Sequence, residues 1–175
     1  MSTILETDRL ILREFNKIDA LHLYTLNMDP LVIKHTGDSP FESIIDSLNF
    51  LKNYTDYQKN GFGRWAVISK DSKRFLGWCG LKLNEEGLVD IGFRFFRKEW
   101  NKGYATESAE ASLAYGFNTL RIPTIIGRAS IDNKASIRVL EKLRMNFWKY
   151  GSCQGIEDSI YYKMHRSAYL NKTLA

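Results

Sequence analysis

Three apolar runs joined by two short connections constrain this chain more than anything else in it. R-W-A-V-I-S (Arg64 to Ser69) and F-L-G-W-C-G-L-K-L (Phe75 to Leu83) flank the turn-like K-D-S-K, and N-E-E-G separates the second run from L-V-D-I-G-F-R-F-F (Leu88 to Phe96). Connections this short leave no room for a crossover helix. The three runs therefore predict an antiparallel meander, the centre of a sheet.

The flanking segments supply the other elements. R-L-I-L-R-E-F, Arg9 to Phe15, alternates charge and aliphatic residues as a strand does. After it, Ile18, Leu21, Leu23 and Leu26 fall near helical spacing. S-P-F-E, Ser39 to Glu42, has the form of a capping box with Pro40 in the first helical position. Ile44, Leu48 and Leu51 then recur on one face, so a helix is expected to about Lys59, where N-G-F-G breaks it.

Beyond the meander, Ala105, Ala109, Leu113 and Phe117 fall four apart on a helix whose small residues permit close packing on a sheet. R-I-P-T-I-I-G-R-A-S-I reads as a strand that tolerates Pro123 near its start. Asp132 or Asn133 caps a helix with Ile137, Leu140 and Leu143 pointing inward, and M-N-F-W-K-Y and S-I-Y-Y-K-M close the chain as two strands. The order is β, α, α, three β, α, β, α, two β. It predicts one mixed α+β domain over residues 1–175, with no linker or repeat to divide it.

Composition sets limits on function. A 175-residue chain with 44% hydrophobic residues buries enough surface to need neither disulfides nor metal, and Cys79 and Cys153 stand in no paired-cysteine motif. Reduced thiols are expected. The start M-S-T-I-L-E-T-D-R has no apolar signal core and no run is long enough to span a bilayer, so a cytoplasmic location is expected, with no membrane partner. The net charge of +5 comes from residues scattered along the chain, without a basic tract, so no nucleic-acid partner is expected. His22, His35 and His165 lie far apart, which argues against a metal site, and neither a P-loop nor a nucleophile elbow occurs.

One junction remains. R-K-E-W-N-K-G-Y-A-T-E-S, Arg97 to Ser108, passes from the third meander strand into a helix through two basic residues and a single glycine. Backbone N–H groups at a helix start are unpaired and partly positive, so N-K-G-Y-A-T can cradle an anion such as pyrophosphate. Gly103 allows close approach or a positive φ, and Lys102 and Arg97 add charge.

With T-D-R-L-I-L-R, W-A-V-I, F-L-G-W-C-G-L, the junction itself and D-N-K-A-S-I-R-V-L-E-K-L in that order, the chain resembles the GNAT acetyltransferases over about residues 7–164. It looks most like their RimJ/RimL branch of ribosomal-protein N-terminal acetyltransferases. The resemblance implies a mixed, mainly antiparallel seven-stranded sheet with helices on both faces. Acetyl-CoA is the implied co-substrate, with its pyrophosphate on Asn101, Lys102, Gly103, Tyr104, Ala105 and Thr106. It further implies that Phe93, Arg94 and Phe95 pair through their backbone with the pantetheine arm, and that Asn133 contacts that arm beside its capping role.

Trp100 and Asn101 depart from the family loop, and Arg144 stands where the family has a glycine just past the helix. The glutamate and tyrosine that several relatives use as base and acid are absent: Arg128 and Leu140 occupy those positions. Ser136 is the implied catalytic candidate, placed to orient the leaving sulfur, and Asp90, Glu157 and Asp158 remain as possible bases. Phe62, Trp65, Trp78 and Trp148 are expected in the core ahead of an acceptor pocket. The implied activity is acetyl transfer to a primary amine on a small molecule or peptide, with the branch tilting toward a protein N-terminal α-amino group. The missing pair keeps a non-catalytic acyl-CoA-binding or interaction module open as the alternative. A homodimer is compatible with the family and is written in no residue.

Overall fold

A computed structural model describes residues 3–153 and 155–173. In chain order the elements are β1 (Thr3–Glu6), β2 (Leu10–Arg13), α1 (Ala20–Met28), α2 (Pro30–Ile33), α3 (Ile44–Lys52), α4 (Asp56–Asn60), β3 (Arg64–Ser69), β4 (Phe75–Leu83) and β5 (Val89–Phe95). Then follow α5 (Tyr104–Ala114), β6 (Thr124–Ser130), α6 (Lys134–Lys142), β7 (Asn146–Cys153), β8 (Ile156–His165) and α7 (Arg166–Thr173).

The expected meander forms. β3, β4 and β5 pair antiparallel, with Trp65 opposite Cys79 and Cys79 opposite Phe93. They are the middle of one sheet in the order β1-β2-β3-β4-β5-β6-β8-β7, in which only β5 and β6 run parallel. The sheet has eight strands where the sequence predicts seven. The extra strand is β1, whose four residues pair with β2 at the sheet edge and are too few to show a period.

Helices cover both faces. On one, Ala109 and Leu113 of α5 and Leu140 and Leu143 of α6 pack with Leu10, Leu12, Trp65, Leu81 and Ile91. Ser108 and Ser112 are fully buried beneath α5, their hydroxyls donating to the Tyr104 and Ser108 carbonyl oxygens at 2.7 Å. The small face of α5 thus lies close to the sheet without orphaned polar groups. On the other face, Leu23, Leu26 and Val32 pack with Ala66 and Phe75.

Three helix expectations are corrected. The capping residue of α3 is Ser43, whose Oγ accepts from Asp46 N–H at 3.2 Å and donates to Asp46 Oδ2 at 2.9 Å; Ser39 and Glu42 precede the helix. The expected single helix to Lys59 is two, with α3 ending at Lys52 and α4 at Asn60, where the capping Gly61 adopts a left-handed φ of 75°. Ile18 and Leu21 are exposed, while Leu23 and Leu26 are buried.

The end of α6 explains the odd Arg144. Arg144 N–H donates to Glu141 O at 2.8 Å and Met145 N–H to Leu140 O at 3.2 Å, the paired bonds of a Schellman cap. Arg144 is the residue that must turn left-handed, with φ 58°, a conformation that glycine adopts without strain.

Candidate active site

The site begins where the sheet opens. β5 and β6 pair in parallel only from Val89/Ile125 to Ile91/Gly127. Beyond that rung β5 stays with β4 as far as Phe95 opposite Gly77, while β6 stays with β8 as far as Ser130 opposite Ser159. Each strand keeps its outer partner and the middle forks. A cleft of about 140 Å³ occupies the fork, with Phe93, Ser130, Asn133, Ser136 and Cys153 among its walls.

Strand alternation decides which main-chain groups face the opening. Phe96 donates its N–H to Leu76 O on the β4 side, so Arg94, two residues earlier, also turns its backbone to β4. Phe93 and Phe95 turn theirs toward the fork. The Phe95 carbonyl is taken by the Trp100 indole N–H at 2.9 Å, which leaves Phe93 and the Phe95 N–H on the open edge. Of the three residues expected to pair with a cofactor arm, Arg94 is therefore the exception.

Past β5 the chain makes a 3-10 turn over Arg97–Glu99 and enters α5 through Asn101 and Gly103, with φ of 60° and 82°. Asparagine tolerates the left-handed region better than most residues, which accounts for Asn101 standing in a glycine position. Gly103 is the N-cap and brings no capping side chain. The first intrahelical bond runs from Glu107 N–H to Gly103 O, so the N–H groups of Tyr104, Ala105 and Thr106 have no acceptor within the helix. These donors and the helix dipole make the α5 start a candidate anion cradle.

The three cations at this loop are all paired, and the one that braces it comes from outside the local motif. Lys102 is paired with the buried Glu99 at 2.9 Å and Arg97 with Asp29 at 3.4 Å. Arg9, just before β2, donates Nη1 to Lys102 O at 3.0 Å and stacks 4.7 Å from the Tyr104 ring centroid. Glu107, in the first turn of α5, holds Arg9 through Nε at 2.6 Å and its N–H at 3.1 Å, and accepts from Thr7 Oγ1 at 2.5 Å. T-D-R-L at the front of the chain thus fastens the loop from outside. Burial would raise the Glu107 carboxyl, but hydrogen bonds from Thr7 and Arg9 hold it below the usual carboxylate range.

The face of the fork beneath α1 and α3 is arginine-rich. Arg64 and Arg128 both donate to the Asp90 carboxylate, which is 4% exposed. Burial would raise Asp90, and the two guanidiniums more than offset it, holding the carboxyl below its usual range. Both carboxylate oxygens of Asp90 are engaged by guanidiniums, an arrangement that favours the anion and counts against it as the base. The Arg64 guanidinium crosses Gly92 so closely that a Cβ there would lie 2.6 Å from its central carbon. Tyr54 and Tyr57 fix the backbone of Arg64 from α4 and the turn before it, with Arg64 N–H donating to Tyr54 Oη at 2.7 Å and the Tyr57 hydroxyl donating to Arg64 O. Arg94 completes the wall, bonded to Asn27 at 2.7 Å and paired with Asp38.

The remaining candidates divide. Asn133 caps α6, accepting from Ser136 N–H at 3.1 Å, and both residues line the cleft. Leu140, in the tyrosine position, is buried over Gly127 and has no proton to give. Glu157 and Asp158 are exposed on β8 outside the cleft lining. Trp78 lines the cleft, while Trp65 is core. Burial pushes the Cys153 thiol up, against its use as a thiolate. Among the described residues no group of three His, Cys, Asp or Glu is arranged to hold a metal, and no helix is long and apolar enough to cross a membrane.

Residues 9–146 match the family described as acetyltransferase (GNAT) domain. The chain is 30% identical over 156 residues to the uncharacterized N-acetyltransferase p20 of Bacillus licheniformis, covering 87% of this chain and 86% of that protein. It is 31% identical over 154 residues to the uncharacterized N-acetyltransferase YoaA of Bacillus subtilis, covering 86% of each. The crystal structure of a GNAT-family acetyltransferase from Bacillus anthracis superposes with a TM-score of 0.80 at 30% identity, over 93% of this chain and 98% of that one. Spermidine N-acetyltransferase from Vibrio cholerae, solved with CoA and spermine, shares the fold with a TM-score of 0.79 at 20% identity, over 94% and 100% of the two chains.

Proposed function

The chain belongs to the GNAT acetyltransferase family and is an acetyl-CoA-dependent acetyltransferase; on that premise we propose that it acetylates a primary amine at the fork between β5 and β6. Acetyl-CoA supplies the activated acetyl group. The observation that carries the reading is the uncapped start of α5, whose Tyr104, Ala105 and Thr106 N–H groups suit the pyrophosphate. Asn101, Lys102 and Gly103 shape that loop, and Arg9 braces it through the Lys102 carbonyl. Phe93 and Phe95 offer main-chain groups to the pantetheine arm, with Asn133 on the facing wall.

Chemistry needs a neutral amine, a donor for the carbonyl oxygen and a proton for the leaving thiolate. The Phe93 N–H meets the second need. Ser136 is the candidate for orienting the sulfur, since it shares the cleft wall with Asn133. The amine forms the new C–N bond, the C–S bond breaks, and the proton lost by nitrogen returns to sulfur. Without the Glu/Tyr pair, water relays that proton.

The RimJ/RimL resemblance of the sequence favours a protein N-terminal α-amino group as acceptor, and the fold shared with the Vibrio cholerae enzyme makes spermidine the comparison to run. The test is CoA release from acetyl-CoA with a panel of amines, together with Gly103→Val. Turnover above the uncatalysed rate is expected, with a severely raised KM for acetyl-CoA in the variant. Tight acetyl-CoA binding without turnover on any amine would favour the non-catalytic module instead.

A further inference from the structure

The wall that an incoming acceptor meets has an unbalanced charge. Arg64, Trp78, Asp90, Arg94 and Arg128 stand on the sheet face beneath α1 and α3, and all five line the cleft. Arg94 is offset by Asp38 at the rim. Arg64 and Arg128 share the single carboxylate of Asp90, and Asp90 is the only acidic residue in the cleft lining among the described residues. One positive charge therefore remains in a partly enclosed site, where Coulomb interactions are screened less than at the surface.

The tryptophan on this face of the cleft is also spoken for. Trp78 has the Arg64 guanidinium 5.5 Å and the Arg94 guanidinium 5.3 Å from its ring centroid. A ring engaged by two cations is a poor receptor for a third. On this face a polycationic amine finds neither a free carboxylate nor a free ring. An anion finds the excess guanidinium charge of Arg64 and Arg128; Arg128 gives Nη2 to Asp90 and also bonds Tyr161, and its planar fork, 8% exposed at the cleft wall, suits carboxylate.

We infer that the acceptor is a primary amine that also carries a carboxylate within a few bonds of the nitrogen, and that polyamines are disfavoured. This rests on the reading of the cleft as the acetyl-transfer site. Two sources share that chemistry, a free amino acid and the acidic N-terminus of a peptide.

The test compares matched amines on the full chain with saturating acetyl-CoA: glutamate against its diamide, a blocked Ser-Glu peptide against Ser-Gln, and spermidine. Binding of the same amines to the CoA-loaded protein is read by calorimetry. One carboxylate–guanidinium contact predicts about tenfold or more in kcat/KM, and in affinity, for the carboxylate form of at least one pair. Which pair responds identifies the source. Arg128→Gln, checked for folding by circular dichroism, is expected to erase the preference, and the wild-type comparison decides should that variant not fold. Equal values for carboxylate and amide, or spermidine as the preferred amine, overturn the inference while leaving acetyl transfer intact. If no amine turns over, the transfer reading fails and the calorimetric preference still decides the charge.

Discussion

Asp90 and Arg128 form a buried ion pair at the apex of the fork, one rung from the point where β5 and β6 part. Arg64 completes it from β3, so the separating strands are tied by a carboxylate that only folding assembles. Removing the carboxylate leaves two guanidiniums, 8% and 15% exposed at the side chain, without a counter-charge. Asp90→Asn is expected to lower unfolding stability by about 3–5 kcal/mol. Urea denaturation checks this, and a loss below about 1 kcal/mol would reduce the pair to a surface-like contact.

Acid should loosen the same places. Asp90 and Glu107 both have folded values below their ordinary 3.8 and 4.5. A lowered folded value means that the stabilisation is fully present above the ordinary value and is lost as pH falls through the folded one. Thermal stability is expected to vary little with these groups above pH 5 and to fall steeply below about 4. In Asp90→Asn that acid limb should be shallower, as melting curves across pH will show.

The clamp on the loop predicts a kinetic split. Arg9 touches Lys102 and Tyr104, Glu107 holds Arg9, and both stand apart from the fork between β5 and β6. Arg9→Ala and Glu107→Gln are expected to raise KM for acetyl-CoA while changing kcat little. A fall in kcat with KM unchanged would place their role elsewhere.

How much of this was legible in sequence follows from how local each signal is. The meander, α5 and α6 were readable because period and turn residues lie within a few positions of one another. Ser39 and Ser43 both satisfy the capping pattern, and what selects Ser43 lies outside it: Ser47, one turn on, donates its hydroxyl to Ala20 O at 2.8 Å, docking α3 on α1. The candidate anion loop could be proposed from sequence because consecutive backbone groups make it up. Arg64, Asp90 and Arg128 come from three strands, and Arg9 reaches Glu107 across 98 positions, so no spacing rule could have found either cluster.

Arg144 offers a stabilising substitution. A non-glycine residue held at φ 58° is strained by about 1 kcal/mol, and the side chain lies past the end of α6, away from the cleft lining. Arg144→Gly is expected to raise the melting temperature by about 2–4 °C with activity unchanged. An unchanged or lower melting temperature would mean that the side chain contributes as much as the strain costs.

The central claim is that main-chain N–H groups of the α5 start and the open edge of β5 hold acetyl-CoA. Amide resonances of ¹⁵N-labelled protein titrated with CoA test it directly. The largest shifts are expected at Gly103, Tyr104, Ala105 and Thr106, with a second group at Phe93 and Phe95. Shifts that leave these amides unmoved, and gather instead in a second pocket around His22, Lys73 and Phe96, would contradict it.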